Sequence, residues 1–88
     1  MAMASRTRVL LEVGSYSSPQ NYSVIGDPTN FYIWHKLPNA KGGASDWFRG
    51  SDAFRHFNKM RELLLINKDE EAFISYLSDL FYTKVPTL

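Results

Sequence analysis

Apolar residues in this chain alternate up to about residue 37 and recur at helical spacing from about residue 52. Val9, Leu11 and Val13, then Tyr22 and Val24, then Phe31 and Ile33 fall at every second position. Ala53, Phe54, Phe57, Met60 and Leu64 fall at the one-, three- and four-residue steps of a helical stripe, and so do Phe73, Leu77, Leu80 and Phe81. A period of two lines one face of a strand, whereas a period of about 3.6 lines one stripe of a helix. The pattern predicts an α+β fold. Its strands, over about 7–13, 21–25 and 31–37, form a three-stranded antiparallel meander. Its helices, over about 52–66 and 68–82, form a hairpin packed on one face of that sheet.

Turn and cap residues support these limits. Gly26-Asp27-Pro28-Thr29-Asn30 predicts a turn of about five residues between the second and third strands. Phe31 to Leu37 has the richest aromatic and branched content of any strand candidate, with Tyr32, Trp34 and Lys36 on the face opposite Phe31, Ile33, His35 and Leu37. The stretch 38–50 has no clear period and reads as a loop, pinned at its far end by Trp47 and Phe48. Within it Asp46 to Arg49 fits either one helical turn or a short edge strand. Ser51 is the expected N-cap of the first helix, with Asp52 in its first turn. Asn67 is expected to end that helix in the left-handed conformation and to open a capping box running to Glu70.

With 88 residues, 44% of them hydrophobic and 22% charged, the chain has the make-up of one globular domain with its own core. It contains no cysteine, which rules out a disulfide frame and any thiolate ligand or nucleophile. No apolar run approaches the roughly 20 residues of a membrane span, and Val9-Leu10-Leu11 is too short for a signal peptide. A cytoplasmic location with no membrane partner is the expectation.

Charge is unevenly distributed. Residues 36–61 hold Lys36, Lys41, Arg49, Arg55, Lys59 and Arg61 against Asp46 and Asp52, a surplus of +4, whereas residues 62–88 sum to −3. The basic segment lies beside Tyr32, Trp34 and Trp47, residues suited to anchoring a protein interface or stacking on bases. The expected partner-binding set is therefore Tyr32, Trp34, Lys36, Lys41, Trp47, Arg49, Arg55, Lys59 and Arg61.

Recognisable catalytic chemistry is absent from the sequence. Asp52 and His56 stand at i,i+4 on one helical face, and His35 is the only other histidine, a poor basis for a metal site. The serines lie in no Gly-x-Ser-x-Gly motif. Lys41-Gly42-Gly43 places its lysine before the glycines, the reverse of a phosphate-binding loop. The expectation is no catalytic residue, no cofactor, no metal and no small-molecule substrate. The surplus of aromatics with arginine favours a small non-catalytic binding protein that docks on a protein partner. It would be of the accessory, adaptor or inhibitor type, a kind that phages and mobile elements encode. The alternative is a nucleic-acid-binding module using residues 36–61.

Overall fold

The computed structural model describes residues 8–14, 21–35 and 43–84. Lys36 and Lys41 therefore lie outside the described residues, as does the chain beyond Lys84. Within them the expected α+β architecture is present, with an antiparallel meander, two further short strands on its edge, and two helices covering one face.

Strand β2 (Tyr22–Asp27) and strand β3 (Asn30–His35) pair from Tyr22↔His35 to Asp27↔Asn30. Only Pro28 and Thr29 remain as the loop, fewer than the five residues expected. The difference lies in Gly26, whose φ of 132° is open to glycine and lets the ladder run on past it. Alternation then places Tyr22, Val24, Phe31, Ile33 and His35 inward, and Ser23, Ile25, Tyr32 and Trp34 outward.

Strand β1 (Val9–Val13) pairs antiparallel with β2. The register shifts between Val9↔Ile25 and Leu11↔Val24, so Leu10 is the extra residue of a β-bulge. Leu11 and Val13 point into the core as the alternation predicts. The bulge carries Val9 across to the outer row beside Ile25, leaving it 49% exposed.

The stretch 38–50 is not all loop. Strand β4 (Gly43–Ala44) pairs with Trp34 and His35, and strand β5 (Phe48–Arg49) pairs with Asn30 and Phe31. Asp46 to Arg49 thus ends in an edge strand and not in a helical turn. Between the two pairings Ser45, Asp46 and Trp47 oppose only Tyr32 and Ile33, so the edge bulges. Ser45 holds the bulge: its N–H donates to the Ile33 carbonyl at 2.8 Å, and its hydroxyl accepts the Ile33 N–H at 3.0 Å.

Helix α1 spans Gly50–Arg61 and helix α2 spans Glu70–Thr83. Ser51 is not the N-cap. The helix begins two residues earlier than expected, after extended Arg49, with no side-chain cap, and the Gly50 N–H donates instead to the Thr29 carbonyl at 2.8 Å. A π-helical segment, Glu62–Ile66, continues α1 and closes with Asn67 N–H donating to the Glu62 carbonyl at 2.8 Å. Asn67 keeps right-handed dihedrals; Lys68 takes the left-handed role instead, with φ 54°. Asp69, not Asn67, caps α2, its carboxylate accepting the Ala72 N–H at 3.1 Å.

The core lies between the inner sheet face, with Phe48, and the helices. Ala53 and Met60 of α1 and Phe73, Leu77 and Phe81 of α2 are buried against Val24, Phe31 and Ile33. Phe54 does not belong to this stripe and is 48% exposed. One position in a helix is about 100° of rotation, so Ala53 and Phe54 cannot both face the sheet squarely.

Candidate functional site

The outer face of the sheet is opposite to the one that the helices cover, and two of its cross-strand rows carry the aromatic residues. One runs Val9, Ile25, Tyr32, and the other runs Glu12, Ser23, Trp34, Ala44. The first row is extended by Trp47, whose ring meets Tyr32 edge-on, with centroids 4.9 Å apart. Tyr32 and Trp34 are half-buried and Trp47 is 37% exposed. Trp47 reaches this position because the bulge at 45–47 adds a residue to the edge and re-aims its side chain.

Arg49 is continuous with this aromatic group. Its guanidinium carbon lies 5.7 Å from the Trp47 ring centroid, and its Nη1 donates to Asn30 Oδ1 at 3.3 Å. Beyond it, on the flank of β5, a cleft of about 450 Å³ opens between the start of α1 and the end of α2. Phe48 and Leu80 supply apolar lining, and Asp46, Arg49, Asp52, His56 and Lys84 its charged and titratable lining. Lys84 Nζ donates to the Trp47 carbonyl at 3.3 Å and stands 5.1 Å from the Phe48 ring centroid. The Asp46 N–H donates to the Lys84 carbonyl at 2.8 Å, tying the last turn of α2 to the bulge.

His56 faces the cleft from α1 and is hydrogen-bonded to the Tyr76 hydroxyl of α2 through Nδ1 at 2.7 Å. Burial is the main cause holding its imidazole below the ordinary value of 6.5; Arg55 and Lys84 push the same way, and Asp52 opposes them. Burial likewise pushes the Tyr76 phenol above its usual range.

The predicted site residues therefore divide. Tyr32, Trp34, Trp47 and Arg49 come together on the outer face and its rim. Arg55 sits next to the cleft but is joined to Asp52 at 3.1 Å. Lys59 lies further along the exposed side of α1, 3.8 Å from Glu62, and Arg61 is exposed at the end of the same helix. Sequence reasoning did not single out Lys84 or Tyr76, because each enters the site only through the crossing of α2 over α1 and the sheet edge.

The two histidines do not converge. His35 is buried, stacked on Tyr22 with ring centroids 4.1 Å apart, and its Nδ1 is 3.2 Å from the Asn21 carbonyl. Among the described residues no group of three or more metal-ligating side chains is assembled. No helix among them is long and apolar enough to cross a membrane.

The chain matches no protein-family model, and no curated protein or solved structure shows significant similarity to it.

Proposed function

We propose that this is a small non-catalytic binding protein, acting in the cytoplasm, that docks a protein partner on the outer face of its sheet. The observation that carries the reading is the group Tyr32, Trp34 and Trp47, partly exposed on the face turned away from the helices. Aromatics bring large area to an interface at little cost in side-chain entropy, and Arg beside them is the usual companion at the centre of such patches. Val9 and Ile25 extend the same surface in the apolar direction. An adaptor, accessory or inhibitor role needs no more than this face.

Affinity capture with the wild-type chain and with Tyr32→Ser/Trp34→Ser tests the reading. Both positions are only half-buried, so the double variant is expected to keep its circular dichroism spectrum while losing the captured protein. A partner held equally well by the folded double variant, or no stable protein partner at all, refutes docking on this face.

Nucleic-acid binding through residues 36–61 is the weaker proposal. Two of its cations, Arg55 and Lys59, lie beside Asp52 and Glu62. A basic strip that binds phosphate gains its affinity from cations free to displace counterions.

A further inference from the structure

We propose that the cleft beside β5 receives a carboxylate side chain of the docked protein partner, held between Arg49 and Lys84. This inference rests on the docking reading above, and it narrows the partner to one presenting an acidic residue among apolar neighbours.

The charges in the cleft are unequally satisfied. Only one of its two carboxylates is ion-paired: Asp52 Oδ1 accepts from Arg55 at 3.1 Å, whereas Asp46 Oδ1 accepts the neutral Trp47 N–H at 2.9 Å. Its two cations have only neutral company. Arg49 donates to the Asn30 amide oxygen and lies near the Trp47 ring; Lys84 donates to the Trp47 carbonyl and lies near the Phe48 ring. Neither forms an ion pair among the described residues. Among the described residues this leaves two unpaired cations against one unpaired carboxylate, Asp46, and that surplus of positive charge around a concave space with an aromatic wall suits one anionic group with apolar atoms beside it.

The same lining disfavours a nucleic acid. Duplex DNA carries one charge per roughly 1.7 Å of axis, and a strand seated here would run its phosphates past Asp46 and Asp52 as well as past the cations. A single carboxylate adds one negative charge to a cleft that Arg49 and Lys84 leave with a positive surplus, where a strand would add several. A volume of about 450 Å³ is on the scale of one or two side chains, not of a polymer. Trp47 joins this cleft to the docking face, since its ring meets Tyr32 and its carbonyl holds Lys84.

The test is a titration of the ¹⁵N-labelled full chain with a five-residue peptide, acetylated and amidated, of sequence Leu-Glu-Phe-Glu-Leu. Its counterpart with Gln in place of both Glu residues is the control. The Glu peptide is expected to shift the amides of Asp46 to Asp52 and of Lys84, and the Gln peptide to bind about tenfold more weakly or less. Arg49→Gln/Lys84→Gln is expected to abolish the difference between the two peptides while leaving the remaining resonances in place; Lys84→Gln alone should reduce it. Equal binding of the two peptides, no shifts at millimolar peptide, or a single-stranded oligothymidylate moving the same amides at lower concentration overturns the proposal. Failure of the cleft inference is distinguishable from failure of the docking reading. If a captured partner is lost from Tyr32→Ser/Trp34→Ser but held unchanged by Arg49→Gln/Lys84→Gln, the outer face stands and only the cleft inference falls.

Discussion

Ser45 serves Ile33 twice, giving its backbone N–H to the Ile33 carbonyl and accepting the Ile33 N–H on its hydroxyl. The hydroxyl stands where a regular ladder would place a main-chain carbonyl, so the edge can bulge without stranding a buried donor. It also donates to the Asp46 carbonyl at 2.8 Å. Ser45→Ala removes the acceptor and leaves the Ile33 N–H without a partner in a region where Ile33 is fully buried. The expected loss is about 1–3 kcal/mol of unfolding free energy, read by urea denaturation. An unchanged midpoint would mean that water reaches Ile33.

Gly26 and Gly50 both have positive φ, yet they should respond differently to alanine. At Gly26 a Cβ would lie 2.5 Å from the Asn30 carbonyl oxygen and 3.0 Å from the Phe31 Cα, both main-chain atoms. At Gly50, φ 68°, nothing lies within 4 Å of the added carbon. Gly50→Ala is expected to cost only left-handed strain, about 1–2 kcal/mol. Gly26→Ala should cost distinctly more, because a main-chain clash adds to strain of ~1–3 kcal/mol. Thermal melts of the two variants side by side decide it, and equal shifts would contradict the close approach.

The sequence stripe groups Phe54 with Met60, and the structure separates them. Met60 is fully buried, so Met60→Ala should cost about 2–5 kcal/mol. Phe54→Ala should stay within roughly 1 kcal/mol of wild type, since the ring is already half in water. Denaturant unfolding of both variants provides the measurement, and a Phe54→Ala loss as large as that of Met60→Ala would restore the original stripe.

Acid should weaken the fold through His56. Its folded-state pKa lies below the ordinary 6.5, chiefly through burial and then through Arg55, with Asp52 opposing and Lys84 adding to the depression. Near and below pH 6.5 the unfolded chain therefore binds more protons than the folded one, and stability rises with pH there. The contribution of neutral His56 is complete above 6.5 and declines as pH falls through that value towards the folded pKa. His56→Gln should flatten this part of a stability profile between pH 7 and 5, as measured by denaturant midpoints. A profile as steep as the wild type's would assign the acid sensitivity to other groups.

Much of the fold was legible because its periods are clean. Tyr22, Val24, Phe31 and Ile33 alternate without interruption, and α2 keeps Phe73, Leu77 and Phe81 in phase along its buried side. Several of the misreadings share a physical cause, a single residue added or removed. Leu10 shifts Val9 to the outer face, Trp47 belongs to a bulge between two dipeptide strands too short to show a period, and the π-helical turn alters the phase after Glu62. The candidate site suffers most from this. Tyr32, Trp34, Trp47 and Arg49 were identifiable by residue type and proximity to one strand. Lys84 stands out only once the contact of its ammonium with Trp47, 37 residues earlier, is known.

That contact, with the Asp46–Lys84 backbone hydrogen bond beside it, bears on the order of folding. Strands β2 and β3 are joined by the two-residue turn Pro28-Thr29 and β1 is their neighbour in sequence, so these three can zip early, whereas the edge from β4 to β5 is fastened partly by the last turn of α2, across a loop whose closure costs entropy. Until α2 docks, β3 has a poorly covered row of main-chain donors and acceptors able to pair with another chain. The last turn of α2 is thus a late-arriving guard on the sheet, and partial unfolding of that turn alone would open a route to aggregation.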